Sequence, residues 1–218
     1  MTHETGMALL LLTGLFLGMR HAFDRDHVAA VTHFISLEPD PLKSAWFGFR
    51  WAFGHAITVL SLGSLIILLK LKFDPAFERY AELAVGVSLI VLGVWRLGLL
   101  AQDRWRVPGH PHSHSHDPLR PHVHGFAPTL VGMVHGASGT AEVFVLLPIT
   151  LMASRGLAYL YIGLFSLGCA LTMSIYGYLA GHFYRQASEQ GQRVYRWLVT
   201  LTSAAGIVLG VIWILKNL

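Results

Sequence analysis

Six apolar stretches, each long enough to cross a bilayer as a helix, constrain this chain more than any other feature. A helical span needs roughly 20 residues of low polarity. The stretches cover about Met7 to Phe34, Ser44 to Leu69, Ala81 to Leu100, Pro128 to Ala153, Leu157 to Tyr184 and Tyr195 to Leu215. None shows the strict alternation of barrel strands. A helix satisfies its own backbone polar groups, which lipid cannot do for it. The expected fold is therefore an all-α membrane protein with six transmembrane helices. Composition agrees: 13% of the residues are charged and 54% hydrophobic, whereas globular domains carry about 25% charged residues. The formal net charge of +4 comes from basic residues in the short gaps between apolar runs, as in membrane loops. The expected surroundings are the lipid bilayer, with no nucleic acid partner.

The one long gap, Ala101 to Ala127, reads AQDRWRVPGHPHSHSHDPLRPHVHGFA. Its Pro, Gly, Ser and His content offers no apolar face, so an aqueous loop is expected. Three units follow: a first three-helix repeat over 1–100, a His-rich loop over 101–127, and a second three-helix repeat over 128–218. If the N-terminus is outside, the inner loops hold Lys43, Arg50, Arg96, Arg104, Arg106, Arg120, Arg185, Arg193 and Arg196. The outer side then holds Lys70, Lys72, Arg79, Arg155 and Lys216. The positive-inside bias favours an inner-membrane protein with both termini outside and the His-rich loop in the cytoplasm. The start, MTHETGMALLLL, lacks the basic region and cleavage site of a secretory signal, so the first stretch is expected to be retained. The lone cysteine, Cys169, excludes an intrachain disulfide framework and reads as a small packing residue.

The halves resemble each other. Gly18-Met19-Arg20-His21 answers Gly132-Met133-Val134-His135, and Gly54-His55-Ala56-Ile57-Thr58 answers Gly168-Cys169-Ala170-Leu171-Thr172 at the same offset. Ile90 to Val94 recurs as Ile207 to Val211, slightly further on. Three spans per copy force the second copy to enter from the opposite side. Two inverted halves result, and such transporters place the substrate site at the repeat interface.

Arg20-His21-Ala22-Phe23-Asp24-Arg25-Asp26-His27 interrupts the first stretch, and six of its eight residues are ionisable. Ionisable groups in hydrocarbon cost about a few kcal/mol each and are functional candidates by default. At about 100° per residue, His21, Asp24 and His27 descend one side of a regular helix within roughly a 120° arc. Asp26 points away from it. Either a distorted turn brings Asp26 in as a ligand, or it pairs with Arg20 or Arg25. The alternative for the whole octapeptide is a solvated turn beyond the bilayer. His55 sits mid-stretch beside Gly54 and Ala56, whose small size permits close helix approach. The candidate metal ligands are thus His21, Asp24, Asp26, His27 and His55, a borderline-soft set that suits Ni²⁺, Co²⁺ or Zn²⁺.

The fourth stretch carries His135 at the repeat position of His21, followed by Ser138 and Glu142, which are candidates for the ion pathway. Thr172, Ser174, Tyr176 and Tyr178 could line it, or simply bond between helices. His110, His112, His114, His116, His122 and His124 form a loop metal buffer or, alternatively, a solvated spacer. His3, with the terminal amine, could chelate Ni²⁺ or Cu²⁺ in a square plane.

Arg20-His21-Ala22-Phe23-Asp24-Arg25-Asp26-His27, with Ala29-Ala30 behind it, resembles the H-x4-D-H signature of the nickel/cobalt transporter (NiCoT) family and its urease-accessory-like relatives. Gly54-His55-Ala56 is similar to the family's second motif, and Gly136 to Glu142 more weakly to a third. The resemblance spans the chain in order, and only its first motif is highly specific. It implies metal handling by His21, Asp26 and His27, with His55. The sequence also departs from the family. Six spans are visible where eight are common, Ser138 replaces an Asp, Arg25 replaces an alanine, and Thr32-His33 replaces an Asp-Asn pair.

The expected function is uptake of Ni²⁺, with Co²⁺ next, and no cofactor beyond the transported ion. A cytoplasmic metal chaperone is a candidate partner. An efflux protein, with the His-rich loop gathering metal in the cytoplasm, keeps the fold and reverses the direction. A membrane-embedded metalloenzyme would need an open coordination site and a general base. Neither H-E-x-x-H nor a paired E-x-x-H set is present, so no enzymatic activity is expected.

Overall fold

The computed structural model of the protein describes residues 3–69, 75–102, 126–138, 149, 152 and 154–218. Within them the chain is helical: α1 His3–His21, α2 Arg25–Ile35, α3 Pro41–Leu69, α4 Pro75–Ala101, α5 Ala127–His135, α6 Arg155–Gln190 and α7 Gln192–Asn217. Proline opens α3 and α4 and sits at the start of α5, where its missing N–H costs nothing. Ser154 caps α6 by accepting from the Leu157 N–H at 3.2 Å. Gly191, at φ +132, lets the chain turn from α6 into α7.

Four helices, α3, α4, α6 and α7, are long and apolar enough to cross a membrane. A fifth span results if α1 and α2 are counted together. This pair breaks the first expected stretch at the charged cluster that interrupts it, with a bend of 58°. The hydrogen bonds show how. The N–H groups of Phe23 and Asp24 reach back only three residues, to Arg20 O (3.1 Å) and His21 O (2.9 Å), which tightens and ends α1. Asp24 is then extended (φ −62, ψ 144) and begins α2. The expected fourth span follows the same course as far as it is described. The N–H groups of Ala137 and Ser138 reach Val134 O and His135 O, both at 3.2 Å, and α5 ends at His135. Most of the rest of that stretch, 139–148 included, lies outside the described residues.

Polarity is arranged for lipid. Leu12, Phe16, Leu68, Val91, Leu179, Phe183, Leu201 and Val208 face outward, while His21, Asp26, His27, His55, Arg96, His135 and Ser203 are buried. Large exposed apolar faces with a polar interior are stable where the solvent is hydrocarbon. These are the helices of a multi-pass membrane protein.

The centre is held by backbone contact. A Cβ on Gly18 would strike the Phe165 carbonyl, and one on Gly132 the Trp51 carbonyl. Likewise a Cβ on Gly168 would strike the Leu15 carbonyl, and one on Gly54 the Thr129 carbonyl. Phe165 and Trp51, and Leu15 and Thr129, stand at the same repeat offset as the glycines that touch them. The α1–α6 contact and the α5–α3 contact therefore match residue for residue. Between them α3 and α6 run antiparallel, with Gly48 against the Met173 carbonyl and Gly177 against that of Ser44. Helices α4 and α7 pack antiparallel in the same manner, with Gly93 against Ser203 O and Gly210 against Gly86 O.

Arg96 corrects an expectation. The charge pattern counts it among the inner-loop residues, yet it is fully buried on α4. Its Nε donates to Ser36 Oγ (2.8 Å), and Nη2 donates to Ser36 O (2.6 Å) and to Tyr195 OH (3.3 Å). The Tyr195 hydroxyl donates to the same carbonyl. A guanidinium and a phenol thus cap the C-terminal end of α2, where the helix dipole is negative.

The glycine contacts predict a clear contrast. Gly132→Ala should lower stability by about 1–3 kcal/mol through backbone overpacking. Gly163→Ala, where nothing lies within 4 Å, should be neutral or gain up to about 1 kcal/mol from helix propensity. Thermal unfolding of the detergent-solubilised variants measures both; equal effects would refute the close-packing assignment.

Candidate metal centre

The break after α1 collects the polar residues of the first motif. His21 is the last residue of α1, Asp24 the cap of α2, and Asp26 and His27 its first turn. His55 enters from the middle of α3, next to Gly54, whose contact with Thr129 brings α5 alongside. His135 ends α5. The imidazoles of His21, His27, His55 and His135 are all essentially inaccessible to solvent.

His21, His27 and His55 converge, each offering a donor atom within 4.8 Å of the others. His21 Nε2 and His55 Nε2 are 3.2 Å apart. Two donors on a metal with bonds of about 2.0–2.1 Å lie about 2.8–3.0 Å apart at the octahedral angle and about 3.3–3.4 Å apart at the tetrahedral one. The observed 3.2 Å, a hydrogen-bond contact between the two rings, falls between these values. The ring centroids of His21 and His27 are 4.5 Å apart and those of His27 and His55 5.3 Å.

The carboxylates lie behind the rings. Asp24 Oδ2 is 2.9 Å from His21 Nδ1, and Asp26 Oδ1 is 3.0 Å from His27 Nδ1. Each carboxylate can only accept when ionised, so each holds the proton on Nδ1 and turns the Nε2 lone pair inward. His27 Nε2 is buried with no hydrogen-bond partner. Such carboxylate–histidine pairs fix ring orientation and raise ligand basicity at metal sites. His55 differs, since its Nδ1 is buried without a partner.

The break between His21 and Arg25 supplies the distorted turn at Asp26. The Asp26 bond is to His27, while Arg20 Nη1 reaches Asp24 Oδ1 at 3.4 Å. The arc of a regular helix does not apply, because the helix is broken between His21 and Arg25. Trp51, one turn before His55, was not anticipated from the sequence as part of the site. Its ring lies 4.7 Å from His27, 5.4 Å from His55 and 5.6 Å from His135. Phe165 covers His21 at 5.3 Å. The i,i+4 spacing of Trp51 and His55 was the available signal.

The other candidates divide. His135 lies beside the cluster, 5.8 Å from the His27 ring, and Ser138 is buried with its hydroxyl bonded to His135 O at 2.9 Å. Thr172 is buried, and Tyr176 bonds Thr32 across α6 and α2 at 2.5 Å. Ser174 bonds Ala170 O within its own helix, and Tyr178 is turned outward. Glu142, the loop residues His110, His112, His114, His116, His122 and His124, and the His3 side chain lie outside the described residues.

Fold and site together define a helical, multi-pass membrane protein with an imidazole and carboxylate cluster at its centre. Over nearly its full length the chain is similar to the urease accessory protein UreH of Bacillus sp. (strain TB-90). The two are 28% identical over 220 residues, covering 95% of this chain and 91% of the relative. The sequence resemblance to urease-accessory-like proteins is thus found again over the whole chain. The chain matches no family model and no solved structure.

If Asp24 orients His21, Asp24→Asn should keep the fold and weaken Ni²⁺ affinity about 10–100-fold. Equilibrium binding to the nanodisc-embedded protein, with the loop histidines changed to serine, would measure it. An unchanged affinity would remove the orienting role.

Proposed function

We propose that this protein carries a divalent transition metal ion, Ni²⁺ first and Co²⁺ next, through the membrane in the direction of uptake. The observation that carries the proposal is the convergence of His21, His27 and His55 at a buried helix break, with two of the three rings backed by carboxylates. Imidazole donors suit borderline ions, and the resemblance of the first motif to the nickel/cobalt transporters supports nickel or cobalt among them. The similarity to a urease accessory protein agrees with a role in metal supply.

The architecture proposed is six spans in two inverted three-helix halves. Its support is the matched register of contacts, Gly18 with Phe165 and Gly132 with Trp51, and the matched helix ends at His21 and His135. The antiparallel α3–α6 and α4–α7 pairs fit an axis lying in the membrane plane. In such folds a site at the repeat interface, built on broken helices, is exposed to each side in turn by movement of one half against the other. His21, His27 and His55 would replace part of the ion's water shell. Asp24 and Asp26 would offset its charge, and Trp51 and Phe165 would shield it from solvent. We place the protein in the inner membrane with its termini outside and its His-rich loop in the cytoplasm, where the loop would buffer the ion before transfer to a chaperone.

Ni²⁺ flux into proteoliposomes tests the proposal. His21→Ala and His27→Ala should each lower the initial rate by at least ~10-fold, as loss of a metal-orienting group does. Unchanged flux would remove the mechanism. Deleting 103–125 should impair metal scavenging at low external Ni²⁺; lowered tolerance of excess Ni²⁺ instead would reverse the direction.

A further inference from the structure

One buried imidazole nitrogen beside the three-histidine cluster has no hydrogen-bond partner and stands close to a carboxylate. His135 Nδ1 donates to Val131 O at 2.9 Å, which fixes the proton on that nitrogen and leaves a lone pair on Nε2. His135 Nε2 is buried and has no hydrogen-bond partner. It lies 4.0 Å from Asp26 Oδ2. The other oxygen of Asp26 is occupied by His27 Nδ1 at 3.0 Å. With His135 neutral, a lone pair and a carboxylate oxygen therefore stand 4.0 Å apart in the protein interior, which is unfavourable unless a cation, whether a proton or a metal ion, lies between them.

The geometry points to a second ion position between Asp26 Oδ2 and His135 Nε2, adjoining the three-histidine position and reached from it. This rests on the metal-transport reading given above. Imidazole and carboxylate suit the same borderline divalent ions. Metal–nitrogen and metal–oxygen bonds of about 2.0–2.1 Å span about 4 Å when they are nearly collinear. The gap therefore fits an ion held trans by the two groups, the arrangement of an octahedral site. A tetrahedral ion would need the pair to close by about half an ångström.

Asp26 serves both positions, since one oxygen orients His27 and the other lies near His135. The first position is built by α1, α2 and α3, and the second brings in α5. An ion moving from one to the other passes from the first half of the chain to the second. Two dications so close would repel strongly in this interior, so the positions fill in turn and not together.

The test uses Ni²⁺ alone and full-length protein in nanodiscs, with the six loop histidines changed to serine in every arm. In a His21→Ala/His55→Ala background, the second position should still bind Ni²⁺, and adding His135→Ala should weaken that binding by at least ~10-fold. His135→Gln, whose amide can still donate to Val131 O, guards against a folding defect and should act alike. His135→Ala alone should leave the affinity of the intact three-histidine position within about 3-fold, less than the loss of an orienting group. If the background binds no Ni²⁺, or binds it equally with and without His135, the second position is refuted. Failure of the three-histidine site reads separately, as undiminished affinity in the His21→Ala/His55→Ala protein; the comparison with and without His135 still decides the second position.

Discussion

Backbone-to-backbone contact at Gly18, Gly54, Gly132 and Gly168 is the interaction on which the centre of this molecule depends. Each glycine lets a carbonyl of the neighbouring helix approach where any side chain would collide. Hydrocarbon offers no hydrophobic force to press helices together, so close van der Waals packing must do it. The same contacts set the site. Gly54 fixes α3 against α5 and thereby presents His55, while Gly18 fixes α1 against α6 just before the break at His21. A wider spacing at either glycine would draw the imidazoles apart.

The break itself answers a problem of charge. Aspartates in a continuous lipid-facing helix would have no partner. Ending α1 at His21 and restarting at Arg25 lets Asp24 and Asp26 turn inward onto imidazoles. The exposed carbonyl end of α2, in turn, is met by Arg96 and Tyr195. The short helix is thus held at both ends, by carboxylate–imidazole pairs at one and a buried guanidinium at the other. Three imidazoles, two of them backed by carboxylates, thus converge in the interior of the helices.

The apolar runs made the helices legible. α3, α4, α6 and α7 match four expected spans closely, and the Gly-His matches located the residues that now touch. What the sequence could not display was partnership across helices. Periodicity alone could not choose between a regular helix and a distorted turn at Asp26; the signal for a break was Asp24, a favoured N-cap residue. Arg96 looked like a loop charge because its acceptors, Ser36 and Tyr195, come from distant parts of the chain. Trp51 looked like one more apolar residue until the neighbouring helices gave it three imidazoles to cover.

The central claim is that His21, His27 and His55 together receive the ion. Anomalous scattering at the nickel edge from Ni²⁺-soaked crystals tests it most directly. The predicted result is one ordered ion within about 2.1 Å of an imidazole nitrogen of each of the three rings. An ordered ion bound elsewhere, with the three rings left uncoordinated, would contradict it.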